Sequence, residues 1–420
     1  MVESRSILFL NFLVYALLFI FFLKKDKWEI CIKNIPFLWL ALVALSSYLF
    51  YIQPGFKFTH HYSLMTVPPF IYLFFCMVCL FIPYRFLNTQ PINVASVKSL
   101  PRKKINLLIF FSLPILLLLF VAYTYEAANT NLIDMQSIRD EVYSENAQNP
   151  LLKGWIGGTI ARLFNQTSVL LYCIAFHVLV FFKEKKYYHR IFIILPYLIG
   201  LEYAYSTATR SYILFILMLL LFQFLLYKDF METKLKKRLM YAFVVFGSLL
   251  FALLIAMSIS RFADNDIMLF MYKYAGESMV NFNGLLFDHV QGTTNGMAYF
   301  WYIPSKLGVP VPFAGLATKW AFIEGTTGVS GMFFYTIVGA FIFEFGKIIT
   351  PIIIIFLSIF MKKLFSKSNS TKALIVVSWC TYNIFASVFL LPIQGDSGTL
   401  SILWLIAFYV WIGKSTALKN

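Results

Sequence analysis

The sequence is poor in charged residues, which occupy 13% of its 420 positions, against roughly 25% in soluble domains. Apolar and aromatic residues (Ala, Val, Ile, Leu, Met, Phe, Trp, Tyr and Cys) make up 60%, and the mean hydropathy is +0.76. This composition excludes a soluble globular enzyme and a disordered chain. Long apolar runs separated by short basic segments are typical of a polytopic membrane protein.

Several chemical signatures are also absent. The chain has no GxxxxGK[ST] phosphate loop, no GxGxxG after a strand and no HExxH. We do not assign the run Asp264-Asn-Asp266 as the DxD motif of a metal-dependent sugar-nucleotide transferase. Its five cysteines lie in or beside apolar runs, and the pairing pattern of a disulfide framework is missing. His60, His61 and His177 have no carboxylate or cysteine placed to complete a metal site. We therefore predict no nucleotide, cofactor or metal for this chain.

The formal net charge of +16 does not indicate a nucleic-acid-binding protein, because the basic residues stand in small clusters between apolar runs. Since a helix crosses the hydrocarbon core in about 20 residues, these runs predict eleven spans. Most Lys and Arg residues fall in alternate connecting segments, which the positive-inside rule places in the cytoplasm. The N-terminus is then outside and the C-terminus inside. The predicted spans are 6–23, 35–53, 65–84, 106–124, 158–182, 191–208, 211–227, 239–259, 344–361, 373–392 and 399–413.

The expected fold is all-α: a single transmembrane domain over residues 1–420 with two longer outer segments, 125–157 and 260–343. The second segment is rich in glycine, proline and aromatic residues. Because a disordered linker would be polar and poor in aromatics, we expect this segment to be ordered. Loops of this length are usually functional.

The first candidate is Arg210, in a tight outer turn between two predicted spans. Its guanidinium suits phosphate, and Ser211 and nearby threonines add hydroxyl groups. Glu202 lies about two turns below it, and an acid within a span is a candidate site. The alternatives are an interfacial arginine, a pair between Arg210 and Glu202, or an ion pair of Glu202 with Arg162.

Arg139 and Arg261 are further basic candidates, one in each longer outer segment. Each is a candidate functional residue. Arg139 could instead be neutralised by the neighbouring Asp140 and Glu141. Arg261, at the end of a span, could equally be an interfacial anchor.

The stretch 272–301 combines acids, amides, a histidine and aromatic rings. Glu277, Asp288 and His289 are candidate general bases for a sugar hydroxyl. Amides and aromatic rings suit sugar hydroxyls and sugar faces, and the candidates for that role are Tyr274, Asn281 and Trp301. The alternative is loop packing and turn chemistry around Gly276 and Gly284.

Several short runs together resemble the Wzy-type oligosaccharide repeat-unit polymerases of bacteria, which build O-antigen and capsular polysaccharide. The runs are Thr207-Ala-Thr-Arg210-Ser211-Tyr, Asn281-Phe-Asn-Gly-Leu-Leu, Thr327-x-x-Ser-Gly-Met-Phe-Phe-Tyr and Phe343-Glu-Phe-Gly346.

The resemblance implies a membrane-embedded, GT-C-like glycosyltransferase in the bacterial inner (plasma) membrane. It would transfer a growing chain from one undecaprenyl-pyrophosphate carrier to the next lipid-linked unit on the periplasmic face, without a nucleotide sugar. The resemblance also implies that arginines of the outer segments hold the anionic carriers or chain, and the candidates are Arg139, Arg210 and Arg261. Its partners would be lipid-linked glycans and the bilayer, and could include a chain-length regulator and a flippase of the same pathway. The alternatives are an O-antigen ligase and a lipid-linked oligosaccharide flippase or other transporter.

Overall fold

The structure is a computed structural model that describes residues 2–53, 55–56, 62–87, 98–131, 137–138, 155–182, 184–262, 267–366, 370–413 and 416–417. The chain divides into two compact units. Unit 1 comprises Met1–Leu87, Phe262–Ser366 and Asn383–Thr399, and unit 2 comprises Asn88–Arg261, Lys367–Tyr382 and Leu400–Asn420.

The described residues are mostly helical, as expected for segments whose backbone polar groups must be satisfied inside a membrane. The α-helices are α1 Val2–Lys25, α2 Ile35–Ile52, α3 Val67–Phe81, α4 Arg102–Asn129, α5 Trp155–Phe181, α6 Tyr187–Ser206, α7 Arg210–Tyr227, α8 Thr233–Phe262, α9 Ile267–Asn281, α10 Tyr302–Lys306, α11 Leu316–Thr327, α12 Thr336–Phe365, α13 Thr371–Ala386 and α14 Gly395–Ile412.

Shorter elements extend or join these helices. Two 3-10 segments follow α3 and α7, at Ile82–Phe86 and Lys228–Phe230, and a π-helix, Phe282–Phe287, follows α9. Two-residue strands β1 (Lys98–Ser99) and β2 (Thr416–Ala417) pair antiparallel in unit 2, with Lys98 opposite Ala417.

Nine helices in the described part of the chain are long and apolar enough to cross a membrane: α1 to α5, α7, α8, α12 and α14. This confirms the predicted all-α, polytopic class. Two of the eleven predicted spans, 191–208 and 373–392, are not among the nine. The first lies in helix α6, which contains the charged residues Arg190 and Glu202. The second is helical only over the 16 residues of α13. Whether they cross the membrane stays a prediction.

In unit 1, α2 packs along α1 and along α9, and α3 packs along α12. Prolines in the first turns of α2 and α3 suit these positions, because a first-turn N–H has no helical partner. The connection after α1 is held by Asp26, whose carboxylate accepts from Arg85 Nη2 at 2.9 Å and from Asn34 Nδ2 at 3.0 Å.

In unit 2, α6 packs against α4, α5 and α7. Tyrosines supply polar links inside this bundle: Tyr197 OH donates to the carbonyl of Tyr172 at 2.8 Å, and the hydroxyls of Tyr172 and Tyr212 are 3.2 Å apart. The bundle therefore contains hydrogen-bonded polar groups as well as apolar packing.

Helix α12 contains a break that divides it at Gly346. This glycine has φ 78° and ψ 172°, a backbone conformation that residues with a side chain rarely adopt. The helix starts at Thr336, eight residues before the predicted span, and its first N–H groups find partners on another segment of unit 1. Thr336 N donates to Phe389 O at 3.2 Å, and Ile337 N donates to Ser387 O at 2.7 Å.

Candidate functional site

The first half of the predicted outer segment 260–343 is anchored by a close helix contact in unit 1. Gly276 of α9 lies against the backbone of Ser46 and Ser47 in α2, and a Cβ on Gly276 would overlap that backbone. Ser47 Oγ donates to the carbonyl of Gly276 at 2.7 Å. Glycine at this position lets the two helices approach each other, which fixes where the next residue, Glu277, lies.

Glu277 is a buried carboxyl group on α9, outside the nine candidate spans. Its side chain is 5% exposed, and its only ion-pair partner among the described residues is Lys273, with Nζ 4.0 Å from Oε2. Burial raises the pKa of Glu277 to about 7, and Lys273 opposes this only partly. A carboxyl group with such a pKa can both accept and release a proton near neutral pH.

The π-helix after α9 is tied to the segment before α3 by two asparagines. Asn283 Oδ1 accepts from Thr66 N at 3.0 Å, and Asn283 Nδ2 donates to Thr66 O at 2.7 Å. Asn281 Oδ1 accepts from Tyr62 OH at 2.8 Å, and its Nδ2 donates to Phe334 O at 3.1 Å. The amide of Asn281, which we predicted to bind sugar hydroxyls, is thus engaged within the protein in this structure.

A second buried carboxylate of unit 1 is Glu344, at the end of the first part of α12. It is fully buried, and it accepts hydrogen bonds from Thr294 Oγ1 and from the backbone N–H groups of Tyr299 and Ala298. Glu344 thereby holds residues 294–299 against α12.

Lys319 of α11 lies beside this cluster. Its Nζ donates to Gln394 Oε1 at 3.0 Å and lies 4.4 Å from the centre of the Tyr299 ring. Burial lowers the pKa of Lys319 to about 8, although the nearby negative charge of Glu344 opposes this shift. Gly395 N donates to Tyr299 O at 2.7 Å, which keeps the start of α14 next to Tyr299.

Trp301 borders the same group of residues. Its Nε1 is 3.4 Å from the point where a Cβ on Gly395 would lie, and its ring meets Phe313 edge-on at 6.2 Å. The structure therefore brings one predicted sugar-binding residue, Trp301, next to Gly395, the residue after Gln394. Gln394 in turn accepts from Lys319, and the sequence singled out neither of these two residues.

In unit 2, the turn between α6 and α7 places Arg210 at the first position of α7. Ala208 has φ 51°, and Thr209 N donates to Ala204 O at 2.8 Å, which closes the turn. The hydroxyls of Thr207 and Thr209 are 2.9 Å apart. Arg210 Nη1 donates to Ser258 Oγ of α8 at 2.8 Å. The arginine is thus oriented by a hydroxyl on another helix.

Glu202 of α6 does not pair with Arg162 or Arg210 within 4 Å in the described residues. Its Oε1 accepts from Thr124 Oγ1 at 2.8 Å, and its Oε2 is buried without a hydrogen-bond partner among those residues. The alternative of a structural ion pair for Glu202 is therefore not seen in the described part of unit 2.

The remaining predicted residues are more scattered. Asp288 and His289 follow the π-helix and are exposed, Tyr274 is half-buried on α9, and Ser211 is exposed on α7. Arg261 is the last residue but one of α8, and its side chain lies outside the described part. Arg139 also lies outside the described residues.

Sequence reasoning missed Glu344 and Lys319 as candidate residues. The signal for Glu344 was an acid at the start of an otherwise apolar span, which stands in the Phe343-Glu-Phe-Gly346 run. Lys319 carried no comparable signal, since a lysine in an outer segment is common. The described residues contain no group of three His, Cys, Asp or Glu side chains that could bind a metal ion.

Comparison with known proteins returned no match: no family model, no curated protein and no solved structure corresponds to this chain.

Proposed function

We propose that this protein polymerises lipid-pyrophosphate-linked oligosaccharide repeat units into a bacterial surface polysaccharide. The observation that carries the proposal is Glu277, a buried carboxyl group with a pKa near 7 in the long segment predicted to face the outside. Groups with such perturbed pKa values are common at catalytic sites. The resemblance of the short runs to the Wzy-type polymerases supports the same assignment.

The proposed reaction needs a base and a leaving group. The acceptor hydroxyl oxygen attacks the anomeric carbon of the growing chain, and its proton passes to the Glu277 carboxylate. The bond between that carbon and the pyrophosphate oxygen breaks, and its electron pair stays on the departing lipid pyrophosphate. A base with a pKa near the working pH is the most effective for such a transfer.

In unit 2, Arg210 is a candidate for binding an anionic lipid carrier. Its guanidinium is oriented by Ser258, and a planar fork can bind phosphate oxygens in pairs. Arg139 and Arg261 stay predictions for the same role.

The test is deletion of the gene in its host, followed by complementation with wild type, Glu277→Gln or Arg210→Ala and gel analysis of the surface polysaccharide. We expect the deletion and both variants to leave single repeat units on the acceptor while the variants stay in the membrane at wild-type levels. Long chains that accumulate on the lipid carrier would instead indicate a ligase. Repeat units trapped on the cytoplasmic face would indicate a flippase.

A further inference from the structure

Lys319 is a half-buried cation whose only hydrogen bond in the described structure goes to a neutral group. Its Nζ donates to Gln394 Oε1 at 3.0 Å, and no carboxylate lies within 4 Å of it among the described residues. An ammonium group carries three donors. Buried cations in proteins are usually paired with an acid, because an uncompensated charge is costly to remove from water.

The nearest acid, Glu344, is already engaged. Its two oxygens accept from Thr294 and from the N–H groups of Ala298 and Tyr299. The pKa of Lys319 stays near 8 in spite of this acid, because burial outweighs the attraction. The protein thus leaves part of the Lys319 charge uncompensated.

Other donors near Lys319 are also available. Gln394 uses its carbonyl oxygen for Lys319, and neither Gln394 Nε2 nor Trp301 Nε1 donates a hydrogen bond to any described residue. The Tyr299 ring lies 4.4 Å from Lys319 Nζ, and Trp301 packs edge-on against Phe313 beside Gly395, the residue after Gln394. A cation, two N–H donors and flat rings are a combination that suits a phosphate attached to a sugar.

We propose that Lys319, Gln394 and Trp301 of unit 1 form a binding site for the phosphate group of a phosphate-linked sugar. Lys319 binds the phosphate oxygens, the amide of Gln394 positions Lys319 and donates from Nε2, and the Trp301 ring packs on the sugar. The assignment rests on the proposed function for the identity of the substrate, but the site can be tested without the reaction. Lysine is a common phosphate ligand that acts as a point charge.

The location agrees with this assignment. Lys319 and Trp301 lie in the predicted outer segment 260–343, and Gln394 lies in the predicted outer connection between spans 373–392 and 399–413. Helix α14 begins at Gly395, the residue after Gln394.

Lysine acylation of the full-length protein in nanodiscs tests the site without any substitution. The protein is treated with acetic anhydride in the presence of farnesyl pyrophosphate, inorganic pyrophosphate or farnesol. Mass spectrometry then measures how far each lysine has been modified. We expect farnesyl pyrophosphate to slow modification of Lys319 and to leave Lys306 unaffected. Lys306 is the matched control, because it is exposed and its Nζ lies 5.1 Å from the Tyr302 ring in the same segment.

The added compounds distinguish the sources of the phosphate. Protection by inorganic pyrophosphate as strong as that by farnesyl pyrophosphate would support a site for phosphate alone, without a lipid contribution. Protection by farnesol, or no protection of Lys319 by either phosphate compound, would overturn the proposal.

A binding measurement on variants gives an independent result. We expect Lys319→Gln to weaken farnesyl pyrophosphate binding about tenfold or more, and Lys306→Gln to leave it unchanged. Unchanged binding by Lys319→Gln overturns the site. If that result accompanies the loss of polymerisation by Glu277→Gln, the proposed function stands without this site. Normal polymerisation by Glu277→Gln together with weakened binding would overturn the base assignment and retain the site.

Discussion

The polar residues around Glu344 and Asn283 in unit 1 and the turn that leads into α7 at Arg210 in unit 2 (the Arg210 turn) are stabilised in different ways. Glu344 draws its partners from residues 294–299, about 45 positions away in sequence, and Asn283 is bonded to Thr66. In the Arg210 turn, by contrast, Thr207 bonds to Tyr203 and Thr209, within five positions, and Arg210 also donates to the distant Ser258. A local turn can be recognised from its residues, whereas a centre assembled from distant segments cannot.

The comparison also separates the chemistry available in each unit. Unit 1 holds a buried carboxyl group of raised pKa and a buried lysine of lowered pKa, Glu277 and Lys319. Unit 2 holds an arginine, whose charge does not change near neutral pH. Proton transfer is therefore expected from unit 1, and charge binding alone from the turn in unit 2.

The largest expected effect is on catalysis in unit 1. Glu277→Gln should lower the rate of polymerisation in proteoliposomes by about 10²–10⁴-fold, because the amide cannot accept the hydroxyl proton. The wild-type rate should rise with pH through about 7, where Glu277 becomes deprotonated, and the residual rate of the variant should lack this rise. Asp288→Asn, at an exposed position, is the control. A full rate in Glu277→Gln, or a loss in Asp288→Asn instead, would move the base to another residue.

The next largest effect concerns the carboxylate that joins distant segments. Glu344→Ala should destabilise the protein by about 2–4 kcal/mol, because it leaves the N–H groups of Ala298 and Tyr299 without an acceptor. Thermal unfolding of the purified protein in detergent measures this change. Asp288→Ala, which removes an exposed acid, should change stability by less than about 0.5 kcal/mol. Equal effects of the two substitutions would contradict the role given to Glu344.

A matched pair of glycines tests the contact between α9 and α2. Gly276→Ala should cost about 1–3 kcal/mol, because the new Cβ overlaps the backbone of Ser46 and Ser47. Gly247→Ala in α8 has nothing within 4 Å of its Cβ and should be neutral or stabilising by up to about 1 kcal/mol. Thermal unfolding of both variants measures these changes. The prediction is wrong if the two substitutions shift the unfolding temperature in the same direction by the same amount.

The smallest effect is expected at the bond between Arg210 and the distant Ser258. Ser258→Ala should destabilise the protein by about 1 kcal/mol, the usual net contribution of a hydrogen bond. Ser211→Ala, beside Arg210 but exposed, serves as the control and should leave stability nearly unchanged. If Ser258→Ala has no effect, the turn is held by its local bonds alone.

The amino-acid sequence by itself determined the class of the fold. Apolar runs of about 20 residues must be helical in a membrane, since no water is present to bond the backbone, and nine such helices are present in the described residues. The sequence also located the turn at Arg210, because its small and hydroxyl residues act on neighbouring backbone groups.

Only the tertiary structure decided which polar residues lie together. Trp301 is next to Gly395, Lys319 is next to Gln394, and Glu344 is next to Thr294, through packing of segments far apart in the chain. Asn281 was predicted to bind sugar hydroxyls, with loop packing as the alternative, and the structure shows its amide bonded to Tyr62 and Phe334. Hydrogen bonds to distant segments depend on how the helices pack against each other, and helix periodicity in the sequence does not predict that packing.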